Sequence, residues 1–225
     1  MSFYEHLTQA TTFDRAQLFA APAIAGSLRG QVSREAYLAF LGQAYHHVRH
    51  TTPLLMAVGC RLPARLAWLQ RPVAEYIEEE IGHEEWILSD IVAAGGDAAA
   101  VRRSQPDLPA EVMVAYAYDL ANRGNPAGFF GMVFVLEGTS VALALNAADQ
   151  IQLALDLPDN AFTYLRSHGT LDLEHTRTLA ELVERMEEKD QDEVIRCARV
   201  FYKLYGDVFR ALPAPEATSG AKSCN

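Results

Sequence analysis

Leu165-Arg166-Ser167-His168-Gly169-Thr170-Leu171-Asp172-Leu173-Glu174-His175 is the stretch on which the reading of this chain turns. His168, Asp172 and His175 follow an i, i+4, i+7 spacing, which at helical periodicity brings them within about 60° of one another on one face. Leu165 and Leu171 lie near the same side, so the trio is directed into apolar packing. Two neutral imidazoles and a carboxylate buried together need compensation, and a metal ion supplies it. The competing interpretation is a solvated helix face carrying incidental histidines.

Outward from this stretch the chain reads as helix throughout, with no convincing strand run. On the N-terminal side, residues 127–155 are strongly apolar, Leu157-Pro158-Asp159 closes them, and Asn160 is expected to open the helix that holds the motif. On the C-terminal side, Lys189-Asp190 separates it from a last helix over roughly 191–211. Earlier in the chain a helix over 3–20 breaks near Thr11-Thr12, and a short element follows near 22–30. Ser33 caps a long helix toward Gly59, interrupted by Pro53. Another helix runs from Pro63 or Ala64 to Gly95-Gly96, and one more occupies 109–123 before the Gly124-Asn125-Pro126 turn. This pattern predicts an all-α single-domain bundle of seven or so helices over 1–212, with a disordered polar tail over 213–225.

Composition narrows the function. The 225 residues are 50% hydrophobic, enough for one buried core, and carry a net charge of −10. No Lys/Arg run marks a nucleic-acid footprint. Glu137 interrupts the longest apolar region, against a membrane span. Cys60, Cys197 and Cys224 form no CxxC, and the N-terminus lacks the pattern of a secretion signal. A cytoplasmic protein without nucleic-acid or membrane partners is expected.

Two further helices carry carboxylates or histidines that an apolar setting does not explain. Glu80-Ile81-Gly82-His83 is a Glu-x-x-His, predicted to place both side chains on adjacent turns of one face, with Glu79 as an alternative to Glu80. Glu137 is the one charged residue between Arg123 and Asp149; a lone carboxylate there must be protonated, paired or metal-bound. Tyr45 or a histidine is its candidate partner, and Tyr45 is, with Glu137, a candidate catalytic group. The candidate ligands are thus Glu80, His83, Glu137, His168, Asp172 and His175. Three carboxylates with three imidazoles suit two five- or six-coordinate iron or manganese ions better than tetrahedral zinc, with Glu137 as the natural bridge. His47 and His50 lack an accompanying acid and are expected at the periphery or surface. Phe130 and Phe134 are read chiefly as core, and Arg123 or Arg166 as possible partners of a substrate carboxylate.

His168-x3-Asp172-x2-His175, the preceding-helix Glu137 in Val-Leu-Glu-Gly-Thr, and Glu80-x-x-His83 resemble the heme-oxygenase-like di-iron oxidases. Gly82-His83-Glu84-Glu85-Trp86, followed by Asp90, is similar to the wider superfamily that includes TenA thiaminases and the PQQ-synthesis oxidase. The resemblance covers roughly residues 3–211. It implies a heme-oxygenase-like bundle of seven to eight helices, often a homodimer, and a non-heme di-iron oxygenase or oxidase. Two Fe(II) ions (Mn possible) would use O2 to oxidise a small amine, amino acid or fatty acid, with an external electron donor and a substrate bearing an apolar portion. The chain departs from the pattern at position 76, where Tyr76 stands and many members carry the first glutamate. The resemblance also leaves two alternatives: a cofactor-free TenA- or PQQ-oxidase-like enzyme acting on a heterocycle, and a non-catalytic interaction protein on the same scaffold. A clear counterpart of the TenA nucleophilic cysteine is missing, and His6 has no supporting heme-ligand signature.

Overall fold

Local chemistry sets each boundary in the computed structural model, which describes residues 1–213. Ser2 and Glu5 form a reciprocal capping box that starts α1 (Phe3–Ala10), and α2 (Thr12–Phe19) follows the expected break at Thr11. Pro22 opens α3 (Pro22–Ser27), and Ser33 accepts from the Ala36 amide to start α4 (Arg34–Val48). The predicted helix toward Gly59 is divided: α5 (Thr51–Arg61) begins after His50, upstream of the proline. Pro53 falls in the first turn of α5, where its missing N–H leaves no ladder bond broken.

The larger correction lies in the next segment. A 3₁₀ turn over Ala64–Leu69 leads into α6 (Gln70–Glu80), and the chain then breaks before α7 (His83–Ala93). Gly82 adopts φ +92°, a left-handed conformation that a residue with a Cβ rarely takes, so the Glu80-x-x-His83 motif spans a helix junction rather than one helix face. The remaining elements are α8 (Ala98–Arg103), α9 (Leu108–Arg123), α10 (Phe129–Leu155), α11 (Thr163–Glu184) and α12 (Glu188–Ala211). No strand occurs among the described residues. The predicted tail over 213–225 lies, from residue 214 on, outside the described residues, as does Cys224.

The bundle is organised around α10, which packs along α11 and α12. Gly131 permits the approach to α12, because a Cβ there would stand 2.5 Å from the Val194 carbonyl oxygen. By length and composition the Pro126–Leu155 segment could cross a bilayer, yet 61% of its most apolar window is buried in the bundle. The N-terminus of α11 is held from outside its own sequence: Asp90 of α7, fully buried, accepts from the Thr163 and Tyr164 amides at 3.0 and 2.8 Å. A side chain 73 residues away therefore does the capping that Asn160 was expected to do.

Apolar packing forms two clusters rather than one. The first takes Phe129 to Val135 of α10 and Leu179 and Val183 of α11; the second takes Ala144, Ala148 and Ile151 of α10 and Tyr164 and Leu165 of α11. Between them α10 presents Glu137, Thr139 and Ser140, and α11 presents His168, Asp172 and His175. The α6–α7 junction adds Glu80 and His83 to the same layer, where each uncompensated polar group costs on the order of several kcal/mol.

Candidate metal centre

The layer resolves into two trios. Glu80, His83 and His168 each bring a ligand-capable atom within 4.8 Å of the others. Glu80 Oε2 lies 3.1 Å from His83 Nδ1, so the break at Gly82 still delivers both side chains to one point. The His83 ring is fixed by stacking on Trp86, with centroids 3.9 Å apart. In the second trio, His175 Nδ1 lies 3.5 Å from Glu137 Oε1 and 3.6 Å from Asp172 Oδ1. Asp172 Oδ1 also stands 3.2 Å from His168 Nδ1, linking the trios. Glu80, His83, Glu137 and Asp172 are each at most 5% exposed.

Atoms without partners show what this layer suits. Both carboxylate oxygens of Glu137, His168 Nε2 and His175 Nδ1 are buried with no hydrogen bond, a condition rare for buried polar groups. His175 Nε2 contacts Glu79 Oε2 at 2.9 Å, and His168 Nδ1 faces Asp172. With each of those nitrogens as the N–H donor to its carboxylate, the other nitrogen keeps a lone pair directed into the layer, the arrangement that orients metal-ligating imidazoles. Glu79, half exposed, thus orients His175 from the rim, while Glu80 is the glutamate brought into the cluster. The donor set and its orphaned lone pairs fit hard or borderline divalent cations such as iron(II).

Electrostatics agree with that fit. Burial pushes the Glu137 carboxyl up to about 7, only partly countered by His175. Burial opposes charge on His175 and His168, but the carboxylates beside them, Asp172 foremost, outweigh it and raise both imidazoles. For Asp172 the hydrogen bond with His168 and the nearby His175 imidazole outweigh burial and hold its carboxyl below the usual range. The metal-free layer retains protons that a cation would replace.

A cavity of about 70 Å³ adjoins the cluster and is lined by His47, Tyr76, Ser140, Tyr164 and Tyr205 among others. His47 is 3% exposed, its Nδ1 is 3.0 Å from the Gln43 carbonyl oxygen, and burial holds its imidazole down at about 4. It is nearer the site than its sequence suggested. His50 instead meets the Tyr118 hydroxyl, and His46 meets Ser104. Tyr45 is not brought to Glu137. It lies two positions from His47, hence on the opposite side of α4, beneath Arg49 and beside Arg102. Tyr76, Tyr164 and Tyr205 are the phenols at the site; only their positions on three separate helices, not any sequence spacing, bring them together.

A second cavity, about 100 Å³, lies between α3, α4, α10, α11 and α12 and is lined by Ile24, Tyr37, Phe40, Leu143 and Phe209 among others. No Asp, Glu, Lys or Arg lines it among the described residues. Ser140, Tyr164, His168 and Tyr205 belong to both cavities and form the collar between them. Arg166 is taken up by Asp149 and Gln152, and Arg123 pairs with Asp119, so neither lines either cavity. Phe134 packs edge-on against Tyr4 and Tyr202 as core. His6 is exposed. Cys60 is exposed as well, whereas Cys197 is buried and burial pushes its thiol up to about 11.

Helices stacked about α10 with a polar layer at mid-height define a heme-oxygenase-like bundle. The chain belongs to the iron-containing redox enzyme family, whose model matches residues 38–206. A domain with a heme oxygenase-like fold from Shewanella denitrificans superposes with a TM-score of 0.82 at 23% identity, covering 93% of this chain and 90% of that one. A TenA homologue from P. horikoshii OT3 gives 0.77 at 13% identity, covering 93% and 97%. Heme oxygenase from Leptospira interrogans gives 0.74 at 13% identity, covering 94% and 100%. At these identities the likeness is one of fold. Comparison with the curated proteins returns no match.

Proposed function

We propose that this chain is a non-heme di-iron oxygenase or oxidase that acts on a small organic substrate with an apolar portion. The observation that carries the reading is the buried layer of three carboxylates and three imidazoles in which both Glu137 oxygens, His168 Nε2 and His175 Nδ1 have no hydrogen-bond partner in the protein. Glu80, His83 and His168 would hold one ion and Glu137, Asp172 and His175 the other. Two iron(II) ions bound there would supply the redox chemistry by which dioxygen oxidises the substrate.

The chain's own groups account for the rest. The uncharged cavity accepts the apolar part of the substrate, and the collar of Ser140, Tyr164 and Tyr205 receives its polar end beside His168. Burial raises both tyrosines, Tyr164 well above its ordinary value, so they stay protonated as hydrogen-bond donors near neutral pH. His47 stays neutral and offers an acceptor. Homodimer assembly and an external electron donor belong to the same reading. The TenA-like neighbours favour a second reading, in which the same acids and imidazoles work without metal on a heterocycle.

Mixing anaerobically iron-loaded protein with oxygen tests the proposal. Transient visible absorption is expected, and it should vanish in His168→Ala together with iron retention. Substrate turnover by rigorously metal-free protein would support the second reading; iron that binds without reacting with oxygen would favour an interaction protein on this scaffold.

A further inference from the structure

A third cavity, about 130 Å³, opens on the other side of Glu137 between α6, α10 and α11. The charged groups lining it are Glu75, Glu79, Glu137, Glu174 and His175, with no Lys or Arg among the described residues. Arg71 and Arg177 pair with Glu75 and Glu174 from outside, at 89% and 70% side-chain exposure. Glu137 forms the floor, its side chain 6% exposed and both its oxygens unpartnered. Water in the liquid occupies about 30 Å³ per molecule, so this space accommodates a partly hydrated cation. The apolar cavity on the far side offers an ion no compensating charge and would strip its hydration at heavy cost.

We infer that the Glu75/Glu79/Glu174 cavity is the loading route for the divalent cation, separate from the apolar cavity that takes substrate. This inference rests on the reading of the layer as a metal centre. Glu75 and Glu174 lower the potential at the mouth, Glu79 stands between mouth and cluster on His175 Nε2, and Glu137 is the first ligand an incoming ion meets. A cation therefore reaches the cluster without crossing the substrate collar, and metal exchange remains open while substrate occupies its own cavity.

Co(II) uptake by the full metal-free chain, followed by stopped-flow visible absorption, tests this. In Glu75→Gln/Glu174→Gln, which leaves the Glu79–His175 contact in place, uptake at low salt should slow about tenfold, with final occupancy unchanged. Uptake by the unmodified chain should slow as salt rises. Ala147 lines the apolar cavity, and Ala147→Phe, which fills it, should load at the unmodified rate. The route is overturned if the double variant loads at the unmodified rate, if Ala147→Phe slows loading as much, or if the double variant loses final occupancy. Absence of Co(II) uptake by the unmodified chain would overturn the metal centre itself, and the route with it.

Discussion

Two buried acids in this molecule face the same physical problem and meet it differently. Asp190, fully buried at the start of α12, accepts from Arg65 at 2.9 and 2.7 Å and from Asn125 at 2.7 Å. Its charge is compensated within the protein, and these hydrogen bonds outweigh burial to hold its carboxyl below the usual range. Glu137, also buried at 5% exposure in α10, has no hydrogen bond at either oxygen, and burial raises it. A satisfied buried acid joins elements of the fold; an unsatisfied one keeps lone pairs available to something that is not protein.

The largest expected effect falls on the satisfied acid. Arg65→Ala leaves a buried charge unpaired and should destabilise the chain by about 3 kcal/mol in denaturant unfolding, with iron uptake per folded chain unchanged. Asp190 and Glu137 should then show opposite pH signs in the metal-free protein. The folded pKa of Asp190 is depressed, so its contribution is present above the unfolded value of about 3.9 and is lost as pH falls through the lower folded value. That of Glu137 is raised, so its contribution is present below its ordinary value of 4.5 and is lost as pH rises toward about 7. Unfolding of metal-free protein and of Glu137→Gln between pH 4 and 8, in steps of about one unit, should show the unmodified chain losing on the order of 2–3 kcal/mol relative to the variant. A flat difference would place Glu137 in a compensated setting like that of Asp190.

A somewhat smaller effect sharpens the contrast from the other side. Glu137→Leu should stabilise the metal-free chain by about 2 kcal/mol, since it removes a buried group with no partner, while abolishing iron retention. The smallest concerns the backbone. Gly82→Ala meets no steric obstacle, but it forces a residue with a Cβ into φ +92°. It should cost about 1 kcal/mol and weaken iron affinity through Glu80 and His83, with the Arg65–Asp190 pair untouched.

Much of this contrast is legible in the sequence. Glu137 stands out because a lone carboxylate in an uncharged apolar helix has no local means of compensation, and His168, Asp172 and His175 stand out by helical spacing. The all-helical class follows from the same periodicities. What escapes the sequence depends on contacts between distant segments or on a single backbone angle. Gly82 sits in Glu-Glu-Glu-Ile-Gly-His-Glu-Glu, where local propensity favours a continuous helix, and its left-handed turn divides α6 from α7. The Asp90 cap on α11 and the Arg65–Asp190 pair join residues 73 and 125 positions apart. Of the partners open to Glu137 in the sequence, Tyr45 is turned away because the rotation of α4 presents His47 to the cavity, and a histidine, His175, is the one that stands near it. Glu79 and Glu80 are adjacent and chemically identical in sequence; burial separates their roles.

The most direct test is a crystal structure of protein loaded anaerobically with iron(II), with anomalous scattering measured at the iron edge. Two peaks are predicted, one among Glu80, His83 and His168 and one among Glu137, Asp172 and His175. An empty layer at full iron loading, or iron bound elsewhere with the Glu137 oxygens still unpartnered, would contradict the account.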